Sequence, residues 1–176
     1  MREAVTSSRV REFMRGLAYE SHAEGRVYLT GGASAVLLDW RDSTVDIDIK
    51  IIPDDGRVFD AIPSLKQRLD ISVELASPAD FIPELPGWRE RSPFIVRERM
   101  LSFHHYDFYS QCLAKIERAL KKDLTDAQQM IDSGLVDPAR LGELFDAIEP
   151  NLKRYPAIHP PAFRRAVESF IARQST

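Results

Sequence analysis

Apolar residues recur along this chain with two periods, one typical of helices and one typical of strands. Apolar positions three and four residues apart predict a helix over residues 5–19 and several further helices after residue 106. Alternating positions and short apolar runs predict strands at residues 27–29, 45–52, 69–75, 94–96 and 100–103. The pattern therefore predicts an α+β fold, with a small mixed sheet, an N-terminal helix and a C-terminal helical region.

Composition narrows the class of protein without naming a function. The 176 residues suffice for one compact domain, and 44% hydrophobic with 29% charged residues is typical of a soluble globular protein. The net charge of -3 gives no electrostatic case for unaided nucleic-acid binding. A single cysteine, Cys112, excludes an internal disulfide and fits a reducing cytoplasm. The first fifteen residues are charged throughout, so we expect no signal peptide, and we expect no membrane span.

The most informative stretch follows the predicted strand at 27–29. Thr30-Gly31-Gly32-Ala33-Ser34 reads as a tight turn entering a short helix, predicted at residues 33–40. Asp46 and Asp48 come next, on one face of a predicted strand and about 7 Å apart. Two such carboxylates repel unless a cation lies beside them, and magnesium with phosphate oxygens is the usual solution. A glycine turn lets backbone N–H groups approach phosphate closely, helped by the N-terminus of the helix.

This order of elements resembles the nucleotidyltransferase superfamily that includes DNA polymerase beta. The motif of that superfamily is a hydrophobic strand, a Gly-Gly or Gly-Ser pair and an Asp-x-Asp, here Gly31-Gly32 and Asp46-Ile47-Asp48. Together with Arg41 and Thr44, the Asp-x-Asp looks most like the bacterial minimal branch, which includes the AbiEii-type toxins of toxin–antitoxin systems. The combined motif is more specific than either half alone.

The resemblance implies a reaction and a set of partners. A nucleoside monophosphate would pass from a nucleoside triphosphate to a hydroxyl on an RNA 3′ end, a protein or a small molecule. Asp46, Asp48 and a third carboxylate would hold Mg²⁺ or Mn²⁺, and Gly31, Gly32 and Ser34 would bind the nucleotide. An antitoxin is a further expected partner.

The third carboxylate has two candidates on the predicted strand at 69–75. Asp70 and Glu74 share one face of that strand, and spacing alone does not choose between them. We favour Glu74, because it lies at the end of the strand nearer the expected glycine turn. Both acids are alternatively ordinary exposed strand residues.

A predicted helix over residues 106–122 carries the second group of candidates. Its basic residues fall three or four apart and predict one basic face: Lys115, Arg118 and Lys122. With Asp123 and Asp126, they are similar to the lysine and aspartate motifs of the AbiEii-type family. The similarity implies that Lys115 contacts nucleotide phosphates with Arg118 nearby, and that Asp123 or Asp126 orients this pair or caps the next helix. An ordinary solvated basic face is the alternative.

These expectations define two regions and leave a rival function open. Residues 1–103 would form the nucleotidyltransferase core, and residues 104–176 would complete the nucleotide cleft. The rival is a non-catalytic module that kept the fold and binds a nucleotide or a protein partner. A metallohydrolase is less favoured, since His104 and His105 are adjacent in an extended segment and should point to opposite faces.

Overall fold

The computed structural model of the protein describes residues 3–175, which form two compact units. The first unit contains the described residues up to Ser77 together with Ser92–Tyr106. The second contains Pro78–Arg91 and the described residues from Asp107 onward. Residues 78–91, which the sequence analysis placed with the sheet, thus group with the C-terminal helices.

The first unit is a mixed five-stranded sheet with three helices and a short two-stranded ribbon. Its elements are β1 (Val5–Thr6), α1 (Ser7–Ser21), β2 (Gly25–Thr30), α2 (Gly32–Leu37), β3 (Ser43–Thr44), β4 (Asp46–Ile52), α3 (Gly56–Leu69), β5 (Ser72–Glu74), β6 (Phe94–Glu98) and β7 (Leu101–His105). The sheet order is β5-β4-β2-β7-β6, and β1 pairs with β3. β2 runs antiparallel to β4 and parallel to β7, β4 is parallel to β5, and β6 and β7 form a hairpin. The predicted α+β fold is confirmed.

The two faces of this sheet differ because side chains alternate along each strand. One face joins the hydrophobic core, with Leu29 of β2, Ile47 of β4 and Phe103 of β7 fully buried. Helices α1 and α3 contribute to the same core through residues such as Phe13 and Leu65. The opposite face therefore carries the polar residues of β4, and the core fixes their register.

One local prediction for this unit was wrong. The strand expected at 69–75 is only Ser72–Glu74, since α3 runs to Leu69 and Asp70 ends it with φ 50°. A left-handed residue after a helix is a common stop, and it takes Asp70 out of the strand face that it was expected to share. Pro63 lies inside α3 on its exposed side. The buried residues of α3 anchor both halves, so the loss of one backbone hydrogen bond is tolerated.

The second unit is helical. Its elements are a 3₁₀ turn (Pro78–Asp80), α4 (Trp88–Arg91), α5 (Phe108–Arg118), α6 (Lys121–Asp132), α7 (Pro138–Ile148), a 3₁₀ segment (Glu149–Arg154) and α8 (Pro160–Arg173). Asp107 caps α5, and Asp137 caps α7 ahead of a first-turn proline. Phe145 of α7 and Phe163 of α8 meet edge to face at 5.0 Å between ring centroids. No helix in the described residues has the length and apolar character needed to cross a membrane.

The helix predicted over residues 106–122 is two helices. α5 ends at Arg118, because Ala119 adopts φ 59° and its N–H bonds to the Lys115 carbonyl. Lys122 belongs to α6, so the predicted three-residue basic face does not exist. Trp88 of α4 is buried, so its ring is not an exposed stacking surface.

Candidate functional site

Strand register brings three acidic residues onto one face of the first unit. In β4, Asp48 lies opposite Thr30 of β2 and beside Glu74 of β5. Asp46, two residues earlier on β4, pairs with Ser72. Residues paired across a ladder share a sheet face, so Asp46, Asp48 and Glu74 project the same way. The structure therefore supports the grouping of these three acids, and it places Asp70 outside the strand.

The glycine turn lies against one of these carboxylates. Gly31 follows Thr30 directly and has φ 62° and ψ -132°, a conformation that a side chain disfavours. A Cβ atom added to Gly31 would lie 3.2 Å from Oδ2 of Asp48. The Asp48 carboxylate thus lies beside Gly31, next to the position that a side chain would occupy.

The second glycine makes room for a different residue of the motif. A Cβ atom at Gly32 would lie 2.0 Å from Oγ1 of Thr44, closer than any real contact. The Thr44 hydroxyl in turn donates a hydrogen bond to the carbonyl of Asp46 at 3.3 Å. Thr44 therefore links the turn to the start of β4, which gives a physical reason for a threonine at this point of the motif.

The Ser34 side chain makes its hydrogen bonds inside the first unit, behind the turn. Its side chain is buried, its hydroxyl donates to the Leu29 carbonyl at 3.1 Å, and His105 Nδ1 lies 2.9 Å from its Oγ. The hydroxyl is thus occupied by internal partners, and a phosphate contact near Ser34 would fall to backbone groups. Burial, with the positive charges of Arg11 and His104, lowers the pKa of His105 to about 4, so the ring is neutral at pH 7.

The three acids of this face differ in solvent exposure. A lysine side chain lies on the same face of the sheet. Asp46 and Asp48 are half-buried, whereas Glu74 is exposed. Lys50 lies two residues beyond Asp48 on β4, opposite Tyr28, and so shares that sheet face. The sequence analysis did not select Lys50, although the same alternation that pairs Asp46 with Asp48 also reaches it.

The donor chemistry of this face suits a hard divalent cation. Among residues 3–175, no group of three or more histidine, cysteine, aspartate or glutamate side chains is already arranged around a metal position. The available donors are carboxylate oxygens, which Mg²⁺ and Mn²⁺ prefer, and the exposed Glu74 is not held in one rotamer by packing. If such an ion binds here, Asp46, Asp48 and Glu74 are the residues of this face that would hold it.

The second unit holds the basic candidates in a buried ion-pair network. Lys115 Nζ lies 2.9 Å from Asp126 Oδ2 and 3.8 Å from Asp123 Oδ1. Arg118 donates two hydrogen bonds to Asp123, of 2.7 and 2.5 Å. The expectation that Lys115 lies on an exposed face was wrong, since it is buried. The expectation that Asp123 or Asp126 orients the basic pair is confirmed for both aspartates.

Asp123 combines two roles in this network. It accepts the Leu120 N–H at 3.3 Å and so caps α6, while it also holds Arg118. Burial alone would raise the pKa of Asp123, but the hydrogen bond and charge of Arg118, with the charge of Lys115, hold that pKa below its ordinary value. Asp123 is therefore a carboxylate near neutral pH, and the guanidinium of Arg118 remains half-exposed.

Two groups of candidates thus emerge, each within its own unit. The first is the acidic face with its glycine turn, and the second is the Lys115–Arg118 pair with its aspartates. No family model, curated protein or solved structure matches this chain. The comparison with nucleotidyltransferases accordingly depends on the motif residues and their arrangement.

Proposed function

We propose that this protein transfers a nucleoside monophosphate from a nucleoside triphosphate to a hydroxyl group. One observation carries the proposal: a Cβ atom added at Gly31 would lie 3.2 Å from the Asp48 carboxylate, and Glu74 occupies the neighbouring register position. A glycine turn can receive phosphate oxygens, and carboxylates beside it can hold the metal that accompanies a triphosphate.

The residues of the first unit have distinct roles in this proposal. The backbone of Gly31 and Gly32 binds phosphate oxygens, and Asp46 and Asp48 hold Mg²⁺ together with Glu74. When bound, the metal supplies positive charge that neutralises the attacking and leaving oxygens. The acceptor hydroxyl attacks the α-phosphorus, the α–β phosphoanhydride bond breaks, and pyrophosphate leaves with the electron pair. The Glu74 carboxylate accepts the hydroxyl proton.

Within the second unit, the resemblance implies phosphate-binding roles for Lys115 and Arg118. Arg118 is the more accessible of the two, because its guanidinium is half-exposed while it holds Asp123. For Lys115 to bind phosphate, a phosphate oxygen would have to replace Asp126 as its partner. Arg118 offers a planar pair of donors suited to a phosphate group.

The proposal includes a biological setting and a small set of acceptors. The acceptor hydroxyl belongs to an RNA 3′ end, a protein side chain or a small molecule, and the motif favours a toxin–antitoxin system with an antitoxin partner. We place the reaction in the cytoplasm, where nucleoside triphosphates and reduced cysteines coexist. Cys112 is buried in the second unit and has no disulfide partner.

Labelled-nucleotide transfer tests the proposal. The protein is incubated with Mg²⁺, each α-labelled triphosphate, and total RNA or total protein, and melting is recorded with and without Mg²⁺ and triphosphate. The wild-type protein should transfer label to one acceptor. It should also melt at a higher temperature with Mg²⁺ and triphosphate, which add about 2.7 kcal/mol of stability at a ligand concentration of a hundred times Kd. Asp48→Asn should lose both effects while folding normally in chelator.

An exposed aspartate just beyond the same strand provides the matched control. Asp54→Asn should behave as wild type, because Asp54 lies in the turn after β4 and outside the acidic face. Stabilisation of wild type without any labelled product would instead indicate the non-catalytic nucleotide-binding module. If Asp48→Asn matches wild type in both measurements, the acidic face has no part in nucleotide chemistry.

A further inference from the structure

Three hydrogen bonds flank the glycine turn, and two of them come from the end of β7. The Tyr106 N–H donates to the Leu29 carbonyl at 2.7 Å, immediately before Thr30 and the turn. The Ser34 hydroxyl donates to the same carbonyl at 3.1 Å, from the first part of α2. His105 Nδ1 lies 2.9 Å from the Ser34 Oγ, although the two residues are 71 positions apart in sequence. The strand thus connects to both ends of the turn.

The donors in this chain of contacts can be assigned from chemistry. A carbonyl oxygen only accepts, so the Ser34 proton is directed to Leu29. The Ser34 oxygen must then accept from His105, which requires the proton of the neutral ring to reside on Nδ1. The contact is therefore directional, from β7 through the imidazole to α2.

A histidine at this position is unusual for its surroundings. Leu101 and Phe103 precede it at two-residue intervals on β7, and both belong to the hydrophobic core. A leucine at position 105 would match that face, whereas a buried imidazole needs a polar partner to offset its burial. Ser34 is such a partner. His105 therefore makes a hydrogen bond to Ser34, beside the turn, where a leucine would make only apolar contacts.

We propose that His105 is a positioning residue that holds the Gly31–Gly32 turn in the conformation that receives a triphosphate. Because glycine has no side chain, Gly31 can adopt many backbone conformations besides the positive φ that it has here. Bonds to Leu29 on one side and Ser34 on the other select one of them. This inference rests on the proposed function, because it assigns His105 to the same phosphate-binding turn.

Four variants test the positioning role of His105 by changing or removing the hydrogen bond between positions 105 and 34. Asn places an amide nitrogen where His Nδ1 lies, whereas Gln places it one carbon further out and Leu has no donor. Binding of the α,β-methylene analogues of the four ribonucleoside triphosphates, each with Mg²⁺, is measured by calorimetry. We expect His105→Leu, His105→Gln and Ser34→Ala each to raise Kd by about tenfold, since the competent turn becomes less populated. His105→Asn should stay close to wild type.

A second buried serine separates positioning from simple loss of stability. Ser21 is buried and accepts the Ala23 N–H at 3.3 Å, and it belongs to no element of the acidic face. Ser21→Ala should lower stability much as Ser34→Ala does, yet leave Kd unchanged. If the two serine variants weaken binding equally, or if Asn and Gln at position 105 behave alike, His105 has no positioning role.

The comparison remains decisive if His105→Leu does not fold, since the Asn and Gln variants keep a polar side chain at the site. A wild-type protein that binds none of the analogues overturns the proposed function and this inference with it. Binding by wild type with the same Kd in all four variants overturns the inference alone.

Discussion

The ammonium group of Lys115 lies 2.9 Å from the carboxylate of Asp126, and both residues are more than nine-tenths buried. Removing the ammonium group takes a close opposite charge away from the buried Asp126 carboxylate, whose desolvation it offsets. Lys115→Met should therefore lower the free energy of unfolding by about 3–5 kcal/mol in chemical denaturation. The double variant Lys115→Met, Asp126→Leu should recover most of that loss, because it removes both charges together.

An exposed ion pair provides a reference value for this loss of stability. Arg140 and Glu143 are 2.8 Å apart on the surface of α7, and Glu143→Gln should cost at most about 1 kcal/mol. Equal, small effects for Lys115→Met and Glu143→Gln would show that the buried pair contributes no more than a surface pair. A double variant less stable than either single variant would also contradict the charge argument.

Gly32 is the glycine whose replacement should disturb the turn most directly. Its added Cβ would lie 2.0 Å from Thr44 Oγ1 and 2.7 Å from Thr44 Cβ, so Gly32→Ala should destabilise by about 1–3 kcal/mol. Adding Thr44→Ala should restore only part of the loss, since the Cβ contact remains. Gly56→Ala is the control: nothing lies within 4 Å of its Cβ, and stability should stay equal or rise by about 0.5 kcal/mol. Thermal unfolding of the three variants tests this prediction.

The two acids that the sequence could not separate differ in the structure, and this difference gives a kinetic prediction. Glu74 is in register with Asp48, whereas Asp70 caps α3 with φ 50° and ψ 48°. Glu74→Gln should lower kcat for nucleotide transfer by about a hundredfold or more, as expected when a proton acceptor is lost. Asp70→Asn should leave kcat unchanged, because asparagine also tolerates the left-handed conformation. A reversal of the two effects would assign the third carboxylate to Asp70.

Histidine burial predicts how stability depends on pH. Burial lowers the pKa of His105 from 6.5 to about 4, so the unfolded chain binds this proton at a pH where the folded protein does not. The contribution to stability is present above pH 6.5 and is lost as pH falls from 6.5 to 4, at up to about 1.4 kcal/mol per pH unit. Denaturant titrations at pH 7, 6, 5 and 4.5 should show a shallower decline for His105→Asn.

Regular periods made most of the fold predictable from sequence. The β4 strand alternates without interruption, so Ile47 and Ile49 were assigned to the core and Asp46 and Asp48 to the other face. The predicted Gly-Gly turn likewise lies where the motif required it. Such patterns reflect burial, which acts on every second residue of a half-buried strand.

The errors came from features that periodicity does not encode. Asp70 and Ala119 both adopt positive φ and end helices where the apolar pattern continued. The partners of Lys115 are determined by how α6 packs on α5, so helical spacing alone suggested a solvated cation. The bond between Ser34 and His105 joins two distant segments, and only the parallel pairing of β2 with β7 brings them together.

The chain enters each unit twice, and this order has a consequence for synthesis on the ribosome. All described residues of the sheet-bearing unit emerge before α5, whereas residues 78–91 emerge before the helices that they contact. Arg91 is synthesised before Asp107, which accepts its two hydrogen bonds of 3.1 and 2.8 Å. The Ala79 carbonyl is likewise synthesised before Tyr155, whose hydroxyl donates to it. A nascent chain ending near residue 106 would thus hold a complete sheet and an unpaired loop. Isolating the sheet as a fragment therefore calls for a linker in place of residues 78–91 that reaches from the β5 edge of the sheet to the β6 edge, and not for a single cut.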